Sequence, residues 1–375
     1  MKRLLNTLKL LVIWLIVLVA ILEIFLRGAD PFHFSVEGSK IKLNINYTER
    51  FTHQFRGIPP NPFKVYNDLG FQGPSAADST GKLRIITVGG STTNCDLIST
   101  PQTWPARLNV LLDSNRFWVN NAGFSGHTTF GHQIMLEDVV GRLRPDYVLF
   151  LTGANDRGIS EIDKKDGYVL KGDPSSFNFT GKVVYYANQY SRFISTITNL
   201  SRAAKARKVI NNYQGQYNPE DLVQSEPLPD SDVNKVLDRH RASFVPAYRE
   251  RVAKLVETAR ALGIKPVLVT QPILFGDTTD ADTKMSLARI RVDRDYSAWL
   301  GHPADHIDGL TESRILDLYN DAVRSVAAEK HVTLIDLATE MPKGLAYFYD
   351  PIHFTVKGCD TVASIIHQHL TKILY

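Results

Sequence analysis

A serine stands at a position where the chain could carry out acyl-transfer chemistry. Residues 83–88 have the apolar composition of a buried β-strand, and the motif GGSTT at residues 89–93 follows directly. Open α/β sheets bind ligands at the carboxyl ends of their strands, so Ser91 is predicted at such an edge, where a helix begins. A serine there can be only an N-cap. It can also present its hydroxyl beside unpaired backbone N–H groups, as a nucleophile requires.

The base that such a serine would need is found near the C-terminus. Asp350 and His353 are three residues apart in the motif DPIH, just before the last predicted helix. Around a turn bent by Pro351, the carboxylate can orient the imidazole and stabilise the imidazolium that forms when His353 accepts the proton of Ser91. Taken alone, the motif fits a catalytic pair and a surface Asp-Pro turn with an incidental histidine equally well.

Two further loops follow predicted strands, NAGFSGHT at residues 121–128 and GAND at residues 153–156. Each alone has the composition of an ordinary turn. Together and in this order, GGSTT, NAGFSGHT, GAND and DPIH resemble the four blocks of the SGNH, or GDSL-like, hydrolase superfamily. The resemblance runs from about Ile85 to the C-terminus, apart from a segment at 159–242.

The resemblance implies a role for each matching residue. Ser91 would be the nucleophile, His353 the general base and Asp350 the group that orients it. The backbone N–H groups of Ser91 and Gly126, with the side-chain amide of Asn155, would bind the oxyanion. Such donors are neutral and do not titrate, and each is commonly worth about 3 kcal/mol in the transition state.

Two details of the match stand apart. Gly123 is a second candidate for the donor in the second block, although its spacing fits less well than that of Gly126. The first block has Gly90 where the most familiar members have Asp. This GGS form resembles that of a subset of envelope-associated members, and it leaves the nucleophile in place.

The elements that must position these residues follow an alternating pattern. Strands are predicted at residues 83–88, 118–120, 146–151, 266–270 and 332–335, with helical signals from Ser91 to Leu112 and an amphipathic helix from Val245 that stops at Gly263. Alternation of this kind predicts βαβ units and a parallel sheet with helices on both faces. With the resemblance, we expect a three-layer flavodoxin-like α/β sandwich.

The N-terminal segment is the one compositional anomaly. Residues 10–22 carry no polar side chain, and extending the helix back to Leu4 reaches the roughly 30 Å of a bilayer core. A cleaved signal peptide is the alternative, but the following residues offer no small-x-small site. Lys2, Arg3 and Lys9 precede the segment, which predicts a cytoplasmic N-terminus and an extracytoplasmic domain.

These patterns divide the chain into three predicted parts. Residues 1–27 would form a transmembrane anchor, 28–82 an irregular stalk, and 83–375 the hydrolase-like domain. An insertion at about 159–242 contains an aromatic helix around residues 185–200 and a polar loop that continues through Asp232.

Composition limits what else the protein can be. A net charge of +4 with no basic run argues against nucleic-acid binding, and no His, Cys or Glu spacing suggests a metal, so no cofactor is expected. The two cysteines, Cys95 and Cys359, follow Ser91 and His353 by four and six residues. They could form a disulfide in an oxidising compartment or remain buried thiols.

The sequence therefore predicts a membrane-anchored serine esterase or acyltransferase. Its substrate would be O-acyl esters, above all O-acetyl esters, of an envelope or exported polysaccharide, or a lipid-linked acylated substrate. Transferases of this superfamily often work beside a multi-span membrane protein, which makes such a partner possible. Two alternatives stay open, a lipase or lysophospholipase and a non-catalytic envelope scaffold with the same fold.

Overall fold

The structure, a computed structural model, describes residues 2–34, 36–38, 40–52, 57–160, 178–210 and 221–374, with the backbone alone for Lys2 and residues 205–210. The strands in chain order are Val36–Glu37 (β1), Lys40–Ile41 (β2), Tyr47–Arg50 (β3), Phe63–Tyr66 (β4), Leu83–Gly89 (β5), Phe117–Asn121 (β6), Tyr147–Leu151 (β7), Lys265–Val269 (β8), Arg291–Val292 (β9), Ile307–Asp308 (β10) and Thr333–Ile335 (β11).

The helices are named in the same way. They are Lys2–Ala29 (α1), Ser91–Asn94 (α2), Trp104–Leu111 (α3), Thr129–Met135 (α4), Gly141–Leu143 (α5), Phe179–Tyr190 (α6), Arg192–Ile210 (α7), Asp230–Ser243 (α8), Val245–Ala261 (α9), Ser297–Leu300 (α10), Gly309–Lys330 (α11), Leu337–Glu340 (α12) and Val356–Leu374 (α13).

A central parallel sheet positions the site. Its strand order is β11-β8-β7-β5-β6, and β5 pairs on one side with β6 and on the other with β7. The order in which the chain visits the sheet thus reverses next to β5, and in such folds ligands bind at the carboxyl ends of the strands beside that reversal. Ser91 follows β5 at this point. The predicted flavodoxin-like α/β sandwich is confirmed.

The sheet forms where the sequence predicts it because each strand carries a run of mostly apolar residues, and most of these are buried. Every residue of β6 and β7 is buried, as expected for parallel strands covered on both faces. Helices α3 and α13 pack against each other on one face, and α9 packs between α4 and α11 on the other. The predicted end of α9 is also confirmed, with Gly263 at φ +76° just beyond it.

Three local expectations are wrong. The helix predicted from Ser91 to Leu112 is broken, because Cys95 adopts φ +55° at the end of α2 and α3 starts only at Trp104. The aromatic helix predicted around residues 185–200 is two helices that meet at Ser191, where the backbone is extended. The polar loop before Asp232 ends earlier, because α8 starts at Asp230 with acidic residues in its first turn.

The chain forms two compact units. Residues 1–44 and 167–214 make one unit, which holds α1, α6, α7 and the β1–β2 hairpin. Residues 45–166 and 215–375 make the other, which holds the sheet, the β3–β4 hairpin and the remaining helices. The segments predicted as a stalk and as an insertion each contribute residues to both units. Parts of the predicted insertion, at 161–177 and 211–220, lie outside the described residues, and the domain boundaries drawn from the sequence stay a prediction.

Candidate active site

Ser91 is the first residue of α2 and follows directly on β5. Gly90, in an extended conformation with φ −83°, turns the chain from the strand into the helix. The Ser91 side chain is partly exposed. Two buried contacts hold α2 beneath it, because Thr92 Oγ1 donates to Gln271 Oε1 at 2.9 Å and Trp104 Nε1 donates to Thr92 O at 3.1 Å. The hydroxyl thus sits on an anchored turn at the edge of the sheet.

His353 and Asp350 reach this hydroxyl from the loop before α13. His353 Nε2 lies 2.7 Å from Ser91 Oγ, and His353 Nδ1 lies 2.6 Å from Asp350 Oδ2. Because the carboxylate can only accept, Nδ1 carries the proton and Nε2 is left as an acceptor for the Ser91 hydroxyl. The structure therefore joins three residues that the sequence places up to 262 positions apart.

The loop itself fixes the carboxylate. The backbone N–H groups of Ile352 and His353 donate to Asp350 Oδ1 at 2.9 Å and 2.7 Å. One oxygen of Asp350 is thereby held by the turn and the other is aimed at the imidazole. The Tyr349 ring stacks on the His353 ring with centroids 5.6 Å apart.

The environment of His353 suits a general base that is protonated and deprotonated in each cycle. Burial lowers the pKa of His353, but the Asp350 carboxylate outweighs this effect by its charge and its hydrogen bond, so the pKa lies above the ordinary 6.5. A base with a raised pKa holds the proton of the nucleophile more firmly once it is transferred.

Asn155 lies beside the residue that precedes the serine. Its Nδ2 donates to His127 O at 3.0 Å, and a Cβ built on Gly90 would be 2.7 Å from the same Nδ2. An amide nitrogen carries two hydrogens, so this bond leaves one for another acceptor. Gly126, at φ +80°, lies in the turn that His127 closes with a bond to Phe124 O. The amide of Asn155 thus connects the loops after β6 and β7 to the start of α2.

Gly123, the second candidate donor, is used differently. Its N–H donates to Asn121 Oδ1 at 2.8 Å, so this group is engaged within its own loop. A Cβ on Gly123 would approach Asn94 N to 2.4 Å. The residue is therefore small because the loop after β6 packs directly on the backbone of α2.

The sequence missed the buried polar framework beneath the GAND loop. Asp156 is fully buried and accepts from Thr129 N at 3.1 Å and Thr129 Oγ1 at 2.6 Å, with Arg251 Nη2 at 3.3 Å. Arg157 forms a buried ion pair with Glu312, which also lies 3.1 Å from Arg294. Neither pairing has a local signal, since the partners are far apart in the chain. The sequence shows only that two charged residues, Asp156 and Arg157, stand in the loop after the buried strand β7.

The two cysteines lie together in the core behind the site. Cys95 and Cys359 are both buried and reduced, with their Sγ atoms 4.0 Å apart. The fully buried Lys64 donates from its Nζ to the backbone carbonyl of Asn94, the residue before Cys95, and burial lowers the pKa of Lys64. Of the two possibilities left open by the sequence, the structure holds buried thiols at close range. Among the described residues, no group of three or more His, Cys, Asp or Glu is placed to hold a metal ion.

The fold and the site together define a serine hydrolase of the SGNH type. The chain belongs to the GDSL-like lipase/acylhydrolase family, whose model matches residues 86–360. The resemblance inferred from the four motifs is thereby confirmed.

Solved structures with a similar fold are distant in sequence. An acetylxylan esterase from Geobacillus stearothermophilus has 14% identity and a TM-score of 0.41, with 77% of this chain and 95% of that chain covered. A GDSL-like lipase from Bacteroides thetaiotaomicron has 14% identity and a TM-score of 0.36, with 80% and 92% covered. Among curated proteins, none matches the chain.

Proposed function

We propose that the protein is a membrane-anchored serine esterase or acyltransferase that acts on O-acyl esters, above all O-acetyl esters, of an envelope or exported polysaccharide. The observation that carries the enzymatic part is the continuous chain from Ser91 Oγ through His353 to Asp350, with distances of 2.7 Å and 2.6 Å. A non-catalytic scaffold has no need for this aligned set.

The proposed reaction begins with the Ser91 hydroxyl. Its oxygen attacks the ester carbonyl while His353 Nε2 takes the proton, and Asp350 stabilises the imidazolium. The oxyanion is bound by the N–H groups of Ser91 and Gly126 and by the Asn155 amide. Collapse of the tetrahedral intermediate expels the alcohol oxygen, which receives the proton from His353, and leaves an acyl group on Ser91. Water or a sugar hydroxyl then releases the acyl group by the same steps in reverse.

The proposed site of action rests on the first helix. By length and composition, the segment from Arg3 to Ala29 is apolar enough to cross a membrane, and most of its apolar side chains are exposed. With Lys2, Arg3 and Lys9 before it, we place the N-terminus in the cytoplasm and the hydrolase unit outside. Anchoring favours a substrate at the membrane surface or in the envelope, and a multi-span membrane protein that delivers acyl groups is the partner we propose.

A direct test uses the serine. Ser91→Ala should abolish hydrolysis of p-nitrophenyl acetate and labelling by a fluorophosphonate probe, because no other group would form the acyl-enzyme. Ser325→Ala, on the exposed side of α11, is the matched control and should retain both. A folded wild-type protein that neither hydrolyses the ester nor reacts with the probe would favour the scaffold. Release of acetate measured against transfer to an acceptor glycan separates esterase from transferase.

A lipase or lysophospholipase is the second candidate, and one observation favours it. Large apolar side chains are exposed along α6, within the segment predicted as an insertion. The chain-length profile distinguishes the two, since an acetyl esterase should lose activity from p-nitrophenyl acetate to p-nitrophenyl palmitate, whereas a lipase should gain it.

A further inference from the structure

The helices α6 and α7 carry their apolar side chains on the outside. The large exposed ones recur at intervals of three or four positions through α6 and the first half of α7, with exposed fractions between 37% and 82%. They are Phe179, Val183, Tyr186, Tyr190, Ile194, Ile197 and Leu200, with Val184 beside them. Intervals of three and four place side chains on one side of a helix.

The buried side of α7 is polar. Ser195, Thr196 and Asn199 are exposed by only 3%, 8% and 7%. The hydroxyl of Ser195 accepts from Gly38 N at 3.0 Å, and Asn199 Nδ2 donates to Val36 O at 2.8 Å, both in the β1–β2 hairpin. A helix on a water-facing surface has the opposite arrangement, with its apolar side turned inward. The exposed apolar side of α6 and α7 therefore indicates contact with an apolar environment.

The same helices are joined to α1 through a partly buried carboxylate. Glu23 is the acidic residue of α1, and it accepts from the backbone N–H groups of Arg192 at 2.8 Å and Phe193 at 2.9 Å, the orphan donors at the start of α7. Arg27 Nη2 donates to Tyr190 O at 2.7 Å, at the end of α6. An ionisable residue in an apolar helix normally has such a partner. The α6–α7 junction thus lies beside α1, about 9 Å before that helix ends at Ala29.

We propose that α6 and the first half of α7 lie on the bilayer that α1 enters, with their exposed apolar side in the boundary between headgroups and acyl chains. This inference rests on the proposed anchoring of α1. At 12 residues, α6 is about 18 Å long and too short to cross a core of roughly 30 Å. Tyr186 and Tyr190, which stack at 6.2 Å, are of the type enriched at membrane interfaces.

Lipid is the occupant that the structure favours over a protein partner. The apolar side adjoins α1, whose large apolar side chains are mostly exposed from Leu4 to Phe25, as a bilayer would require. Arg192 at the junction pairs with Asp30, the residue after α1, at 2.6 Å, which ties the start of α7 to the end of α1. A bilayer-bound α6–α7 would attach this unit at two points instead of one.

The test measures the depth of a fluorophore in the full-length protein. Val183→Cys and, as a control, Asp238→Cys on the exposed side of α8 are labelled with a nitrobenzoxadiazole probe, since Cys95 and Cys359 are buried and should not react in the folded protein. The proteins are reconstituted into phosphatidylethanolamine/phosphatidylglycerol vesicles with or without doxyl-labelled lipid. Hydrolysis of p-nitrophenyl acetate by both variants confirms that they are folded.

We expect doxyl lipid to quench the label at residue 183 by about twofold or more and to leave the label at 238 unchanged, because an interfacial helix buries its apolar face by roughly 5–10 Å. If the protein floats with the vesicles but the label at 183 is not quenched, the inference is wrong while the anchoring of α1 stands, and the apolar side would serve a protein partner. If the protein does not float with the vesicles, the anchoring fails and this inference fails with it.

Discussion

Replacing Asp350 with asparagine tests the proposed role of the carboxylate with little change in shape. In the wild-type loop, Asp350 Oδ1 accepts two backbone N–H groups and Oδ2 faces His353 Nδ1 at 2.6 Å. In Asp350→Asn the amide oxygen can keep the two backbone bonds, but its NH₂ then points at the N–H of the imidazole. The ring must release that clash by taking the other tautomer, which puts a hydrogen on Nε2 and removes the acceptor for Ser91.

The expected loss is large and specific to catalysis. A wrong tautomer and the lost charge together reduce kcat by about 10⁴ in triads of this kind, which corresponds to about 5.4 kcal/mol. The thermal midpoint should change little, because the backbone bonds that hold the turn are retained. The assay is kcat on p-nitrophenyl acetate, with thermal unfolding as the check on folding.

The pH profile gives a second readout. Neutral His353 is the active form, so kcat/KM of the wild type should rise with pH through a midpoint above 6.5, the direction in which Asp350 shifts the pKa of His353. In Asp350→Asn the charge and the hydrogen bond of Asp350, which are the largest effects that raise the pKa of His353, are lost while burial still lowers it, so the midpoint should move to lower pH. Asp360→Asn, an exposed carboxylate on α13 paired with Arg107, should change neither. A kcat within tenfold of wild type for Asp350→Asn, with an unmoved midpoint, would refute the assigned role.

Three further predictions address the rest of the site. Asn155→Ala should lower kcat about 100- to 1,000-fold through loss of an oxyanion donor, measured on the same ester. Gly90→Ala should lower kcat without lowering the thermal midpoint, because the backbone at φ −83° tolerates alanine while the new Cβ displaces Asn155 Nδ2. Full activity of this variant would contradict the close approach of Asn155 to Gly90. Refolding in the presence of glutathione disulfide should join Cys95 and Cys359 in one disulfide, because the fold brings their Sγ atoms within 4.0 Å while the thiols are still accessible; two electrons and two protons pass to two glutathione thiols, and two alkylatable thiols in the denatured product would count against it.

The sequence by itself determined the family, the sheet and the identity of the candidate triad. Apolar runs such as residues 146–151 indicate a strand buried on both faces, and apolar residues spaced three or four positions apart in α9 indicate a helix with one buried side. Such local patterns were enough to predict strands and helices. The motifs around Ser91 and His353 are short and contiguous, so they could be read without knowing which segments meet.

Only the tertiary structure decided how those segments come together. The 2.7 Å contact between Ser91 and His353 depends on the packing of α13 against α3, and the orientation of Asn155 depends on a carbonyl from another loop. The break between α6 and α7 comes with the carboxylate of Glu23 from a distant helix, which supplies the acceptor that the start of α7 needs. Such contacts join residues far apart in the chain. Local propensity and periodicity cannot predict them, because each contact stabilises the protein only when both partners have been brought together.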